Sequence, residues 1–165
     1  MSERVGRSAL SWRQLRDPWA LLATGFGCGL APIAPGTVGS VLGTAVWWFV
    51  FADLDFATRA VTALVAFVAG TLIVDRAVRR LGLDDDPAIV LDEVVGVWFA
   101  LLLVPKSLPW AAGAFALFRL ADIAKPWPIS RVDARVAGGL GVMADDLIAG
   151  LVTAVLVFAV WYSMA

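Results

Sequence analysis

Two pairs of adjacent carboxylates, Asp92-Glu93 and Asp145-Asp146, stand where apolar runs begin. Ionised groups at membrane depth are costly and are retained where they do chemistry. Acids in a first helical turn can instead act as caps or offset the helix dipole, so either pair alone is open to both readings. Adjacent carboxylates repel unless a cation or solvent screens them. Two such pairs, taken with Asp122, point to a divalent cation held by oxygen. The chain has no histidine and a single cysteine, Cys28, which removes the commonest general base and any cysteine metal cluster. Oxygen ligands suit Mg2+, with Mn2+ or Ca2+ as alternatives. Asp92, Glu93, Asp122, Asp145 and Asp146 are therefore the expected metal ligands and catalytic carboxylates. Which of them holds metal and which moves a proton stays open, as do the number of ions and the choice between direct water attack and a covalent aspartyl intermediate.

Cations accompany these acids. In a helix over Phe118–Pro126, Arg119, Asp122 and Lys125 share one face at i,i+3 spacing, and Pro126 stops the helix. Such a face is either a surface ion-pair ladder or a set in which Asp holds metal while Arg and Lys hold anionic oxygens. A second anion site is offered by the Gly- and Pro-rich run from Gly27 to Ser40, where free N–H groups and the hydroxyls of Thr37 and Ser40 precede an apolar helix. The plainer reading makes Thr37 the N-cap of that helix. The run lacks the Gly-Lys-Ser/Thr ending of a Walker loop. A cysteine-phosphatase loop is excluded, since Ala34 stands where Arg would be required after Cys28. Asp53-Leu54-Asp55 reads as a solvated turn, and so do Asp84 and Asp85. The Asp-Gly…Ala-Arg spacing of phospholipid synthases that use CDP-linked lipids is missing.

The elements that position these residues are apolar. Hydrophobic residues make up 61% of the chain and charged ones 16%, against roughly 45–50% and ~25% in soluble domains. The net charge of −1 gives no basic field for nucleic acid. Apolar stretches run over residues 38–52, 60–74, 94–104, 108–118 and 147–165. A full span needs about 20 residues, so the two short stretches either tilt or form a shallow pair. Gly39 and Gly43 are spaced to let another helix approach closely. Basic residues fall at the N-terminal segment, at Arg76–Arg80 and at Arg119–Arg135, leaving only Arg59 and Lys106 on the other side. The positive-inside rule then places every polar motif at the cytoplasmic face. Residues 1–19, with Arg4, Arg7, Arg13, Arg16, Trp12 and Trp19, are expected to form a basic interfacial segment. The glycines and prolines between Gly25 and Pro35 make a poor signal-peptide core, and Gly25 weakens a lipoprotein reading of Cys28. The expected fold is all-α, a multi-spanning membrane protein of about four to five apolar helices with its site at the cytoplasmic face.

Four blocks in order carry a resemblance: Gly27–Ser40; Asp86-Pro87 with Asp92-Glu93-Val94-Val95-Gly96; Phe118 through Ile129; and Gly138–Gly150. Together they resemble the phosphatidylglycerophosphatase A family, from about residue 20 to the C-terminus. Ala121 departs from the Phe that is frequent there. The resemblance implies an all-helical inner-membrane enzyme, with residues 20–165 as a membrane phosphatase domain. It implies hydrolysis of phosphatidylglycerophosphate to phosphatidylglycerol and phosphate with Mg2+, a step in phospholipid and cardiolipin synthesis. Thr37, Ser40, Arg119 and Lys125 would bind the substrate phosphate. No nucleic-acid partner is expected, and the oligomeric state is open. The competing expectation is a small cation or proton transporter, which would place acids near mid-span.

Overall fold

A computed structural model describes residues 10–82, 86–127 and 138–164. The described residues form helices and turns with no strand, in agreement with the all-α expectation. Asp17 opens the first helix, α1 (Pro18–Ala23). Its carboxylate accepts from the Trp19 N–H at 2.9 Å and the Ala20 N–H at 3.4 Å, with Pro18 in the first turn. Before it, residues 10–17 make a turn and a 3-10 turn over Gln14–Arg16 rather than a continuous interfacial helix; the rest of the expected basic segment lies outside the described residues. Arg76 of the next long helix lies 4.9 Å over the Trp19 ring, and Arg80 pairs with Asp17 at 3.5 Å, fixing α1 to it.

Helix α2 (Pro35–Val46) begins three residues earlier than a Thr37 cap would place it. Its N-cap is Ala34, in the left-handed region at φ 49°, with no side-chain cap bond. Pro35 supplies the start instead, because its fixed φ suits a first helical position. A π-turn over Trp47–Phe51 continues the helix. Asp53 and Asp55 are exposed, as a solvated turn requires, and Asp55 caps α3 (Phe56–Leu81) through Thr58. Gly82, at φ 65°, ends α3, with Arg79 and Arg80 in its last turn. Helices α4 (Leu91–Ala100), α5 (Leu108–Ala124) and α6 (Gly138–Met164) complete the bundle.

The apolar runs of the sequence all became helices, but they are not equivalent. Among the described residues, only α3 and α6 are long and apolar enough to cross a membrane. Just 17% and 28% of their most apolar windows are buried, so most of that surface faces outward as a core helix of a soluble protein would not. The remaining helices fall short, so the expectation of four to five spans is met only as five apolar helices, of which two have spanning length. Helix α4 has ten residues, about 15 Å at ~1.5 Å per residue, half of a hydrocarbon core of about 30 Å. It is the central strut, packed against α2, α3, α5 and α6, with Val95, Val97, Phe99 and Ala100 buried.

Small residues let these helices approach. A side chain on Gly39 would overlap Val90, and one on Gly43 would overlap Val94 and Val97, so this pair seats α2 against α4. The Trp98 indole N–H donates to the Gly43 carbonyl at 2.9 Å across the same contact. At Gly150, α6 meets the Gly96 carbonyl and Phe99 of α4. The result is that the beginnings of α2, α4 and α6 and the end of α5 meet around one polar centre.

Candidate functional site

Each site residue is placed by a helix. Asp92 and Glu93 occupy the first turn of α4, as the sequence suggests, but they are not its cap; Val90 holds that position without a side-chain bond. Arg119 and Asp122 lie on the last turns of α5. Lys125 follows them as the helix terminator, in the left-handed region at φ 41° ahead of Pro126. Asp145 and Asp146 were expected at the start of the last helix. They lie instead in its third turn, about 10 Å in at ~1.5 Å per residue. Gly138 to Gly141, which precede the last apolar run of the sequence, are already helical, and Gly139 packs directly on Thr71 and Asp75 of α3 where a side chain has no room.

The five acids converge in two sets that share one residue. Carboxylate oxygens of Asp92, Glu93 and Asp146 lie within 4.8 Å of one another, and so do those of Asp122, Asp145 and Asp146. The sets differ in how their charge is met. Asp122 Oδ2 accepts from Arg119 Nη1 at 2.5 Å, and Asp145 Oδ2 accepts from Lys125 Nζ at 2.6 Å. In the first set, Asp92 Oδ1, Glu93 Oε2 and Asp146 Oδ2 are all buried without a hydrogen-bond partner among the described residues. Arg119 reaches Glu93 only at 3.9 Å. Asp146 is 2% exposed. Buried acceptors of this kind are costly unless a donor or a cation meets them. The oxygen donors and the unmet charge thus fit a hard divalent cation at Asp92, Glu93 and Asp146.

Arg119 is the hub on the anion-binding side. Its Nη1 also donates to Ser40 Oγ at 3.3 Å, and Ser40 donates to the Gly36 carbonyl at 2.9 Å. The Arg119 Nε–H is buried with no partner among the described residues, a donor available to an anion. Thr37 is not drawn into this set; it is half-buried on α2 and makes no side-chain hydrogen bond among the described residues. Beside the acids opens a cleft of about 240 Å³ lined by Asp86, Ile89, Asp92, Lys125 and Asp145.

Three residues of this geometry escape a reading by residue type. Asp86 is 8% exposed, accepts from the Ala88 N–H at 2.9 Å and lines the cleft. Its signal was the Asp-Pro step, which favours a turn. Its neighbours Asp84 and Asp85 lie outside the described residues. Gly36 leaves room for Glu93 and Arg119, and Gly96 leaves room for Asp146 and Phe118. Nothing local in the sequence marks either glycine as a spacer.

Comparisons with known proteins converge on one family. The family model described as Phosphatidylglycerophosphatase A matches residues 21–161. The Phosphatidylglycerophosphatase A of Escherichia coli strain K12 is 37% identical over 147 residues, covering 88% of this chain and 85% of that protein. The protein of the same name from Haemophilus influenzae is 38% identical over 151 residues, covering 91% and 93%. A Bacteroides thetaiotaomicron protein with the provisional name phosphatidylinositol-3-phosphatase is 39% identical over 145 residues, covering 83% and 89%. No solved structure matches the chain. With the family model spanning nearly all of the helical bundle, this chain belongs to the phosphatidylglycerophosphatase A family.

Proposed function

We propose that this chain is a Mg2+-dependent lipid-phosphate phosphatase of the bacterial inner membrane. It hydrolyses phosphatidylglycerophosphate to phosphatidylglycerol and phosphate in phospholipid synthesis, with its site on the cytoplasmic side. Family membership supports the reaction class. The basic residues Arg76, Arg79 and Arg80 at the same end of α3 support the orientation. The observation that carries the reading is the pairing of three unpartnered acid oxygens with an unpartnered guanidinium N–H in one buried centre. That pairing favours phosphate-monoester chemistry over ion transport, which has no use for an anion donor beside the cation ligands.

Asp92, Glu93 and Asp146 would hold the cation. When bound, Mg2+ supplies Lewis-acid stabilisation of phosphoryl charge and acidifies water. Arg119 donates to the phosphate oxygens and stabilises the charge that builds on them. Asp122, at 2.5 Å, and Ser40, at 3.3 Å, hold the guanidinium in place. Asp145 lines the cleft and is the carboxylate left to accept the proton of the attacking water. Lys125, 2.6 Å away, holds that carboxylate in place and adds positive charge beside the phosphate.

Phosphate release from phosphatidylglycerophosphate in detergent, with Mg2+ and with EDTA, tests this. Release that EDTA stops and Mg2+ restores is expected. No release overturns the activity. Faster release from phosphatidylinositol 3-phosphate overturns the substrate and leaves the phosphatase class standing.

A further inference from the structure

An apolar groove of about 390 Å³ runs between α2 and α5, apart from the polar cleft. Val41 and Ala45 line it from α2, Trp48 from the π-turn that continues α2, and Leu108, Ala112 and Phe115 from α5. Its one hydroxyl, on Thr44, is turned away in a 2.8 Å bond to the Ser40 carbonyl, so the wall offers nothing to water. The stripe on α2 steps back by one turn from Thr44 to Ser40. The stripe on α5 steps forward by one turn from Phe115 to Arg119. Those two polar residues touch each other, Arg119 Nη1 to Ser40 Oγ at 3.3 Å, one turn beyond one end of the groove. Trp48, with Lys106 5.9 Å over its ring, stands at the other end.

We infer that this groove is the acyl-chain site of the substrate: one fatty chain lies along α2 and α5 while the phosphate sits at Arg119. The inference rests on the lipid-phosphate reading above. Three features select this occupant. The near end of the groove lies one helical turn from Ser40 and Arg119, so a lipid whose terminal phosphate is held at Arg119 can lay a chain along it once its glycerol and phosphodiester have crossed that turn. It is apolar along its length, as an alkyl chain requires. From Ser40 to Phe49 the helix advances about 14 Å at ~1.5 Å per residue, close to the depth of one leaflet in a hydrocarbon core of about 30 Å.

Filling the groove tests this. Ala45→Trp, and the milder Ala112→Leu, are compared with wild type on dioleoyl phosphatidylglycerophosphate and on a dibutyroyl analogue too short to reach Ala45. Excluding two or three methylenes lowers the long-chain to short-chain ratio of kcat/KM about fifteen- to sixtyfold. An unchanged ratio in both variants overturns the inference, and the ratio cancels any general loss of folded enzyme. Photolabelling decides the matter separately from activity. Dioleoyl phosphatidylglycerol with a diazirine in its chain should label residues 41–49 and 108–115, and unlabelled phosphatidylglycerophosphate should compete. The outer face of α3, at Val61, Leu64 and Val68, should be labelled without competition. Groove labelling that does not compete marks ordinary boundary lipid and overturns the inference. A groove left unlabelled, with a dimer lost in Ala45→Trp, assigns it to a second copy and overturns it too. If wild type releases no phosphate from either substrate, the activity fails while competed labelling still supports the groove.

Discussion

Lys125 Nζ and Asp145 Oδ2 stand 2.6 Å apart, joining the terminating residue of α5 to the third turn of α6. The Asp145 side chain is 9% exposed and that of Lys125 35%, so the pair straddles the wall of the cleft. Removing the cation takes the paired positive charge from a nearly buried carboxylate, which costs more than loss of an exposed pair and less than loss of a fully buried one. Lys125→Met should therefore lower stability by about 1–3 kcal/mol. The double variant Lys125→Met/Asp145→Asn should recover part of that loss in thermal unfolding. Additive losses would show that the pair is not coupled. Asp145→Asn alone should abolish turnover while leaving membrane insertion intact.

The division of the acids into a cation-holding set and a cation-paired set predicts unequal effects. Mg2+ should raise the unfolding temperature of the wild-type protein, with about 2.7 kcal/mol gained at a hundred times Kd. Asp146→Asn and Asp92→Asn should erase that gain, since each carries an oxygen with no other partner. Asp122→Asn should keep most of it, because Asp122 is engaged by Arg119. Equal loss of Mg2+ stabilisation in all three variants would argue for a shared cluster of five ligands instead.

The hydropathy of the chain located all five apolar helices, and residue type picked out Asp92, Glu93, Arg119, Asp122, Lys125, Asp145 and Asp146, which the fold brings close together. What hydropathy could not convey is which apolar helix is central. A ten-residue run such as α4 looks like a short span until its neighbours are known to bury it. The depth of Asp145 and Asp146 was hidden for a related reason. Glycine disfavours a helix by local propensity, and the Gly138–Gly141 run is helical only because α3 packs against Gly139. Thr37 looked like a cap and a ligand because hydroxyls at helix starts commonly are. The left-handed Ala34 moved the start ahead of it. Asp86 joined the cleft through a turn whose burial depends on residues far along the chain.

The spacer glycines can be tested by adding one methyl group. A Cβ on Gly36 would collide with Glu93 Oε1 and sit 3.2 Å from Arg119 Nη2, while one on Gly96 would lie 2.9 Å from both Asp146 Cβ and Phe118 Cζ. Gly36→Ala should displace the acid and the guanidinium together. A shift of about 1 Å in such groups costs around a hundredfold in rate. Gly96→Ala should add about 1–3 kcal/mol of overpacking to its effect on activity. Gly70→Ala is the contrast, since its new methyl meets only the flexible end of Met143. It should keep its activity and match or exceed wild-type stability, as alanine favours a helix by about 1 kcal/mol over glycine. Equal activity loss in all three would assign the effect to folding.

Arg119 gathers three contacts on one nitrogen, Asp122 at 2.5 Å, Ser40 at 3.3 Å and Glu93 at 3.9 Å, and keeps a buried Nε–H unpartnered among the described residues. A planar guanidinium can hold its neighbours through one edge and present another edge to an anion. A lysine ammonium has no second edge at a fixed angle. Arg119→Lys should therefore lower kcat/KM by about a hundredfold to a thousandfold, the range for loss of one preorganised donor to developing charge. Inhibition by inorganic phosphate should weaken in the same variant, because the lost edge also binds product. Ser40→Ala removes two bonds, one donated to the Gly36 carbonyl and one accepted from the charged guanidinium at 3.3 Å, and should cost about ten- to a hundredfold. Its effect should vanish in the Arg119→Lys background, since Ser40 acts by orienting the guanidinium. Wild-type turnover and phosphate inhibition in Arg119→Lys would remove Arg119 from phosphate binding and leave it as a structural partner of Asp122.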